Sequence, residues 1–188
     1  MGLASLVLKV LIIHPIIFLP DPVNILLCSL KVDSFLKEIF TKAQNESHVP
    51  PVLVGIHVRR TDYVDFIRNY EGRLPGEAYF RRAMQYFRDK FRRVIFVVAS
   101  DGTQYATEKF AHYPDVTFSP GTTWQVDLAT LASCNHSIIS LGSYGFWTGY
   151  LTGGQVLYPS ITFGKTCMFS REWYTLSRLK RFIPISAD

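Results

Sequence analysis

The sequence predicts an α/β fold, a mainly parallel sheet with helices on both faces. From residue 52 onwards, short apolar runs rich in β-branched residues alternate with segments of helical periodicity. Most of these runs give way to Gly, Ser, Asp or Arg, the residues of loops that leave a strand. An apolar fraction of 48% and an aromatic fraction of 14% supply a core large enough to cover both faces of a sheet.

The elements follow in order. Residues 52–58, VLVGIHV, read as a buried strand. Residues 77–91 read as a helix, with Phe80, Ala83, Met84, Phe87 and Phe91 at i, i+3, i+4, i+7 and i+11, after a loop marked by Pro75 and Gly76. Residues 94–99 give a second strand that ends at Ser100-Asp101-Gly102. A short helix fits 103–111, and 116–118 a short strand. Asp127 is placed to cap a helix running through Leu128, Leu131 and Ala132. Residues 137–141 form the next strand, and Gly142-Ser143-Tyr144-Gly145 turns the chain into a helix bearing Phe146, Trp147, Tyr150 and Leu151. Gly153-Gly154 ends that helix, and 155–158 give a last strand. In the basic tail, Arg171-Glu172-Trp173-Tyr174 reads as the start of a closing helix. Such alternation implies parallel strands joined by crossover helices.

A chain of 188 residues suits one domain. The net charge of +5 is unevenly placed, with ten Lys or Arg against five Asp or Glu between Arg59 and Arg93. No nucleic-acid-binding motif accompanies this cluster, so no nucleic-acid partner is expected. Arg81, Arg82, Arg88, Arg92 and Arg93 read instead as a solvated helix face. Cys28, Cys134 and Cys167 lack the spacing of zinc ligands and leave room for one disulfide and one thiol. Asn45 and Asn135 open N-x-S/T sequons, which a secretory lumen would glycosylate. Residues 3–19 are apolar except for Ser5, Lys9, His14 and Pro15. They read as a poor membrane anchor, a signal-peptide-like segment or a displaced core strand.

The chemistry concentrates where the first strand ends. His57, Arg59, Arg60 and Asp62 form H-x-R-R-x-D at the carboxyl end of a strand, the side on which open α/β sheets bind ligands. Paired arginines there suit a phosphate or diphosphate, which a guanidinium grips in a planar fork. Side chains alternate along a strand, so one arginine is expected to hold phosphate oxygens while the other braces the loop through Asp101 or Asp62. Asp101 has two readings, a hydrogen bond to a base or ribose and a cap for the following helix. His57 likewise reads as a satisfied core histidine or a catalytic base. The Gly142–Gly145 turn leads into a helix whose backbone N–H groups suit phosphate, yet neither G-x-x-x-x-G-K-[ST] nor G-x-G-x-x-G is present.

HVRRTD and the strand before it resemble the first motif of the GDP-fucose-dependent fucosyltransferases that form α1,2, α1,6 and protein O-linked fucose. IFVVASDGTQYATEKF (95–110) and DLATLASCNHSIISLGSYGFWTGYLTGGQVLYP (127–159) resemble the α1,2 galactoside branch. The likeness covers residues 51–159, extends more loosely to 32–51, and does not include 1–30. It implies a Rossmann-like domain at 32–188, the donor-binding half of a GT-B-type glycosyltransferase, behind an atypical hydrophobic segment at 1–31. The implied reaction is inverting transfer of fucose from GDP-fucose to the 2-hydroxyl of a terminal β-galactose on a glycan, without metal or other cofactor. The implied location is the lumenal face of the Golgi membrane.

By the same resemblance the diphosphate lies on Arg59 and Arg60, beside the turn of Ser143, Tyr144 and Gly145; Asp101, from its place after a buried strand, and Asp127, where a family motif begins, are the further donor-site candidates. Tyr144 replaces the family's usual small residue. Asp62 is the first candidate for the base and Asp65 the second, with His57 the alternative. A carboxylate among arginines is held at low pKa, which suits a loop brace better than a base. Only some fifty residues precede the motif strand, too few for the family's anchor, stem and acceptor-side domain. The expectation is therefore a donor half with a truncated front, and the alternative is a catalytically silent module that binds a GDP-sugar.

Overall fold

The computed structural model describes residues 22–121, 123–164 and 168–187. A helix, α1 (Pro22–Glu46), precedes the strand β1 (Val52–Val58). There follow α2 (Tyr63–Arg68), α3 (Glu77–Lys90), β2 (Val94–Ser100), α4 (Thr103–Phe110), β3 (Val116–Phe118), α5 (Trp124–Ala132) and β4 (His136–Ile139). The chain continues with α6 (Ser143–Thr152), β5 (Val156–Ser160), α7 (Arg171–Leu176) and β6 (Phe182–Ser186). Every described strand pairing is parallel, in the order β3-β2-β1-β4-β5-β6. This is the expected α/β class, and the order reverses between β1 and β4.

The pleat of β1 explains the layers. Val54, Ile56 and Val58 face one side, where they pack with Tyr79, Phe80, Ala83, Met84 and Phe87 of α3 and with Ala106 and Phe110 of α4. Leu53 faces the other side, with Val97, Ala99, Leu131 and Cys134 and with Ile39 of α1. Gly55 lies on that same side, and a Cβ there would come within 3.2 Å of Leu131, so the missing side chain lets α5 approach the sheet. The strands buried on both faces are nearly continuous apolar runs, as parallel strands must be.

Three elements lay outside the sequence reading: α1, α2 and β6. Helix α1 runs through the boundary expected at residue 31, and its end is held by Arg93, which donates to the carbonyls of Ala43 (2.7 Å) and Val49 (3.0 Å) and pairs with Glu46 (3.0 Å). Arg88 grips Asp115 through Nε (2.7 Å) and Nη2 (2.8 Å), and Arg82 donates to the Ser186 carbonyl (2.8 Å). The expected solvated face is therefore corrected at these three positions, where the arginines fasten chain segments together.

Among the described residues no helix is long and apolar enough to cross a membrane. The hydrophobic stretch at 3–19 lies outside them, as does Cys167. Cys28 and Cys134 are free thiols, and burial pushes the Cys134 thiol up to about 12.

Strands β4 and β5 pair over only two positions, Ser137↔Val156 and Ile138↔Leu157. The buried Tyr79 hydroxyl meets them there, within reach of the carbonyls of Ile139 (2.7 Å) and Leu157 (3.0 Å). Tyr79→Phe leaves the ring in place and removes the donor, so urea unfolding should report a loss of about 1–3 kcal/mol. Unchanged stability would show that the stitch is not needed.

Candidate functional site

The carboxyl ends of β1, β2 and β4 meet at the point where strand order reverses, and an open cavity of about 410 Å³ lies there. Its walls include His57 and Arg59 from the end of β1, Ser100 and Asp101 from the end of β2, Thr123, Trp124 and Asp127 from the start of α5, and Tyr144 from the start of α6. Five of the residues expected at the site, His57, Arg59, Asp101, Asp127 and Tyr144, thus share one cavity. Arg60, Asp62, Ser143 and Gly145 do not line it.

The two arginines point to different sides, as alternation along a strand predicts. Arg59 turns to the cavity, where its Nη2 pairs with Asp62 (2.8 Å) and its Nε with Asp101 (3.3 Å). These contacts leave Nη1 and one Nη2 proton for a ligand. Arg60 turns away and stacks its guanidinium on the Tyr105 ring, 3.8 Å from the centroid. It also donates to the Pro75 carbonyl (2.9 Å) and bonds the Tyr105 hydroxyl. It is the brace.

Asp101 holds this loop. Oδ1 accepts the Arg60 backbone N–H (2.8 Å), while Oδ2 accepts the Thr61 hydroxyl (2.6 Å) and faces Arg59 Nε. The cap reading of Asp101 is corrected, since Gly102 occupies the N-cap of α4 and its N–H goes to Ser100 Oγ (3.0 Å). Asp127 is not a cap either. Helix α5 starts four residues earlier than expected, capped by Thr123, whose Oγ1 accepts from Val126 N (3.3 Å). One turn on, Asp127 reaches the cavity and accepts from Ser119 Oγ (2.6 Å).

His57 is 4% exposed, with Nδ1 3.3 Å from Ser140 Oγ and the Tyr144 ring 4.9 Å from its own. Gly145 packs beneath it, where a Cβ would fall 2.7 Å from Nδ1. Burial lowers the imidazole pKa to about 4; nearby Asp101 opposes that shift and Arg59 reinforces it. A group so acidic is neutral at pH 7 and poorly matched to general-base work. Tyr144 covers the ring, donates its hydroxyl to the Trp124 carbonyl (2.7 Å), and is itself pushed up by burial.

The remaining candidates lie elsewhere. Asp65 pairs with Arg68 on the exposed face of α2 (2.8 Å). Asn45 is exposed near the end of α1, and Asn135 Oδ1 accepts the Leu53 N–H (2.8 Å) at the start of β4. Among the described residues, no group of three or more His, Cys, Asp or Glu side chains is arranged to hold a metal ion. Trp124 escaped the sequence reading, although an aromatic residue between a Gly-containing loop and a candidate carboxylate was a usable signal.

The His57 environment makes stability depend on pH. Because the folded-state pKa lies below the unfolded value of about 6.5, the neutral ring's contribution is complete above that value. It is lost as pH falls from about 6.5 through about 4, by roughly 3 kcal/mol in all. Urea unfolding across this range should show a shallower decline for His57→Gln than for the wild type. Parallel declines would mean that His57 is not buried as a neutral group.

Comparison with known proteins matches the sequence of this chain to a family. The family model described as Glycosyl transferase family 11 matches residues 29–172. Galactoside alpha-(1,2)-fucosyltransferase 1 of Homo sapiens is 39% identical over 115 residues, covering 58% of this chain and 31% of that protein. The same-named proteins of Saimiri sciureus and Plecturocebus brunneus are 39% and 38% identical over the same length and shares. The matched region thus spans about a third of the length of these curated relatives. With its matched region running from α1 through the first residues of α7, the chain belongs to glycosyl transferase family 11.

Proposed function

We propose that this chain provides the donor-binding part of a galactoside α1,2-fucosyltransferase. The donor is GDP-fucose, and fucose passes with inversion to the 2-hydroxyl of a terminal β-galactose on a glycan. The observation that carries this reading is the Arg59 guanidinium. It is fixed on two sides by Asp62 and Asp101, and its remaining edge is open at the strand-order reversal. A cation held in place before the reaction stabilises the charge that gathers on a departing diphosphate without reorganising at that moment. The Asp127 carboxylate, with one oxygen on Ser119, retains acceptor capacity for the N–H edge of guanine.

Asp62 stays the first candidate for the base on account of its exposure, while its pairing with Arg59 keeps the loop-brace reading beside it. It sits beside Arg59 with 66% of its side chain exposed, reachable by an acceptor hydroxyl. The fixed guanidinium replaces a divalent ion, so we assign no cofactor. A Golgi-lumenal setting with membrane anchoring belongs to the same proposal and rests on the sequence resemblance alone. The greater length of the named relatives supports an acceptor site built largely outside this chain's cavity.

Arg59→Ala should weaken GDP binding by about 2–4 kcal/mol in calorimetry, and Arg59→Lys should recover only part of the loss. Arg60→Ala should lower thermal stability and weaken GDP binding less than Arg59→Ala does. Equal GDP affinity in the wild type and Arg59→Ala would remove the donor assignment.

Radiolabelled transfer from GDP-fucose to a lactose-type acceptor tests the reaction itself. GDP binding and any transfer should persist in a chelator. Binding that persists while a longer protein containing this domain never transfers would favour a silent GDP-sugar-binding module.

A further inference from the structure

Trp124 opens onto the cavity with 43% of its surface exposed, although an indole of that size is usually covered in a folded domain. It is the first residue of α5, next to the Thr123 cap, and its carbonyl is held by the Tyr144 hydroxyl at 2.7 Å. Asp127 follows at i+3, so the indole and the carboxylate share one face of the helix and line the same cavity. Arg59 serves another part of that cavity. A nucleoside diphosphate needs three things here: a cation for its phosphates, a polar edge for its base and a flat apolar wall for the base's face. The first two are supplied by Arg59 and Asp127.

We propose that the Trp124 indole is the stacking wall for the donor's purine base, positioned by the bond from Tyr144 to its carbonyl. The proposal rests on the nucleotide-site reading above. Stacking is tolerant of sequence and scales with ring area, so Trp124 favours purine over pyrimidine diphosphates, while Asp127 selects guanine.

The test is titration of the full chain with GDP, UDP and inorganic pyrophosphate, followed by calorimetry and by indole fluorescence. Trp147 and Trp173 pack against Phe146 and do not line the cavity, so a fluorescence change abolished by substitution at 124 reports on Trp124. GDP should quench the wild type, and the quench should vanish in Trp124→Phe while GDP affinity stays within a few-fold. Trp124→Ala should bind GDP about tenfold or more weakly, narrow the preference for GDP over UDP, and bind pyrophosphate as the wild type does.

GDP affinity unchanged in Trp124→Ala overturns the stacking wall and leaves the donor site standing. Equal losses for GDP and pyrophosphate also overturn it, because the residue would then be shaping the phosphate end. A wild-type chain that binds pyrophosphate but gains nothing from the base defeats the proposal as well. A wild type that binds no GDP defeats the nucleotide-site reading itself.

Discussion

The Asp101 carboxylate is the clasp on which the site depends. It closes the second strand of the sheet and reaches across to the loop leaving the first, taking a backbone N–H from Arg60, a hydroxyl from Thr61 and the Nε edge of Arg59. The carboxylate thereby ties the turn after β1 to the end of β2. With it, the Arg60 backbone is fixed and its side chain is sent onto Tyr105 and Pro75. The guanidinium left at the crevice is Arg59, and Asp62 holds its far side. Gly102, just after Asp101, makes room for this packing, since a Cβ there would meet Arg60 Cβ at 3.0 Å.

The sheet supplies the rest of the positioning. The order of strands reverses beside β1, so the helices after β3 and β4 start on either side of one opening. Tyr144 joins those two helix starts through the Trp124 carbonyl, and its ring closes over His57. The histidine becomes part of the floor, neutral and packed against Gly145 and Ser140. A motif of four chemically active residues thus resolves into different physical jobs: a floor, a cavity-facing cation, a brace and an exposed carboxylate.

Much of this was legible in the sequence because buried parallel strands announce themselves. VLVGIHV and VIFVVAS are short apolar runs rich in β-branched residues, which read as strands covered on both faces, and the helical spacing from Phe80 to Phe87 names the layer that covers one of them. What stayed hidden was set by tertiary contacts. Helix α2 is only six residues long, and β6 carries Pro184, which a strand tolerates at a sheet edge. The division between Arg59 and Arg60 depends on a turn whose shape comes from Asp101, forty-one residues further along. Reading Asp127 as a cap displaced the start of α5 and put Trp124 in a loop. The actual cap, Thr123, places both residues on the cavity wall.

The central claim is that Arg59, and not Arg60, meets the donor diphosphate at the strand-order reversal. A crystal structure of the chain with GDP tests it most directly. The account predicts diphosphate oxygens within about 3 Å of the Arg59 guanidinium, with Arg60 still on the Pro75 carbonyl and Tyr105. Nucleotide bound away from this crevice, or Arg60 swung into it while Arg59 stays on its two carboxylates, would contradict it.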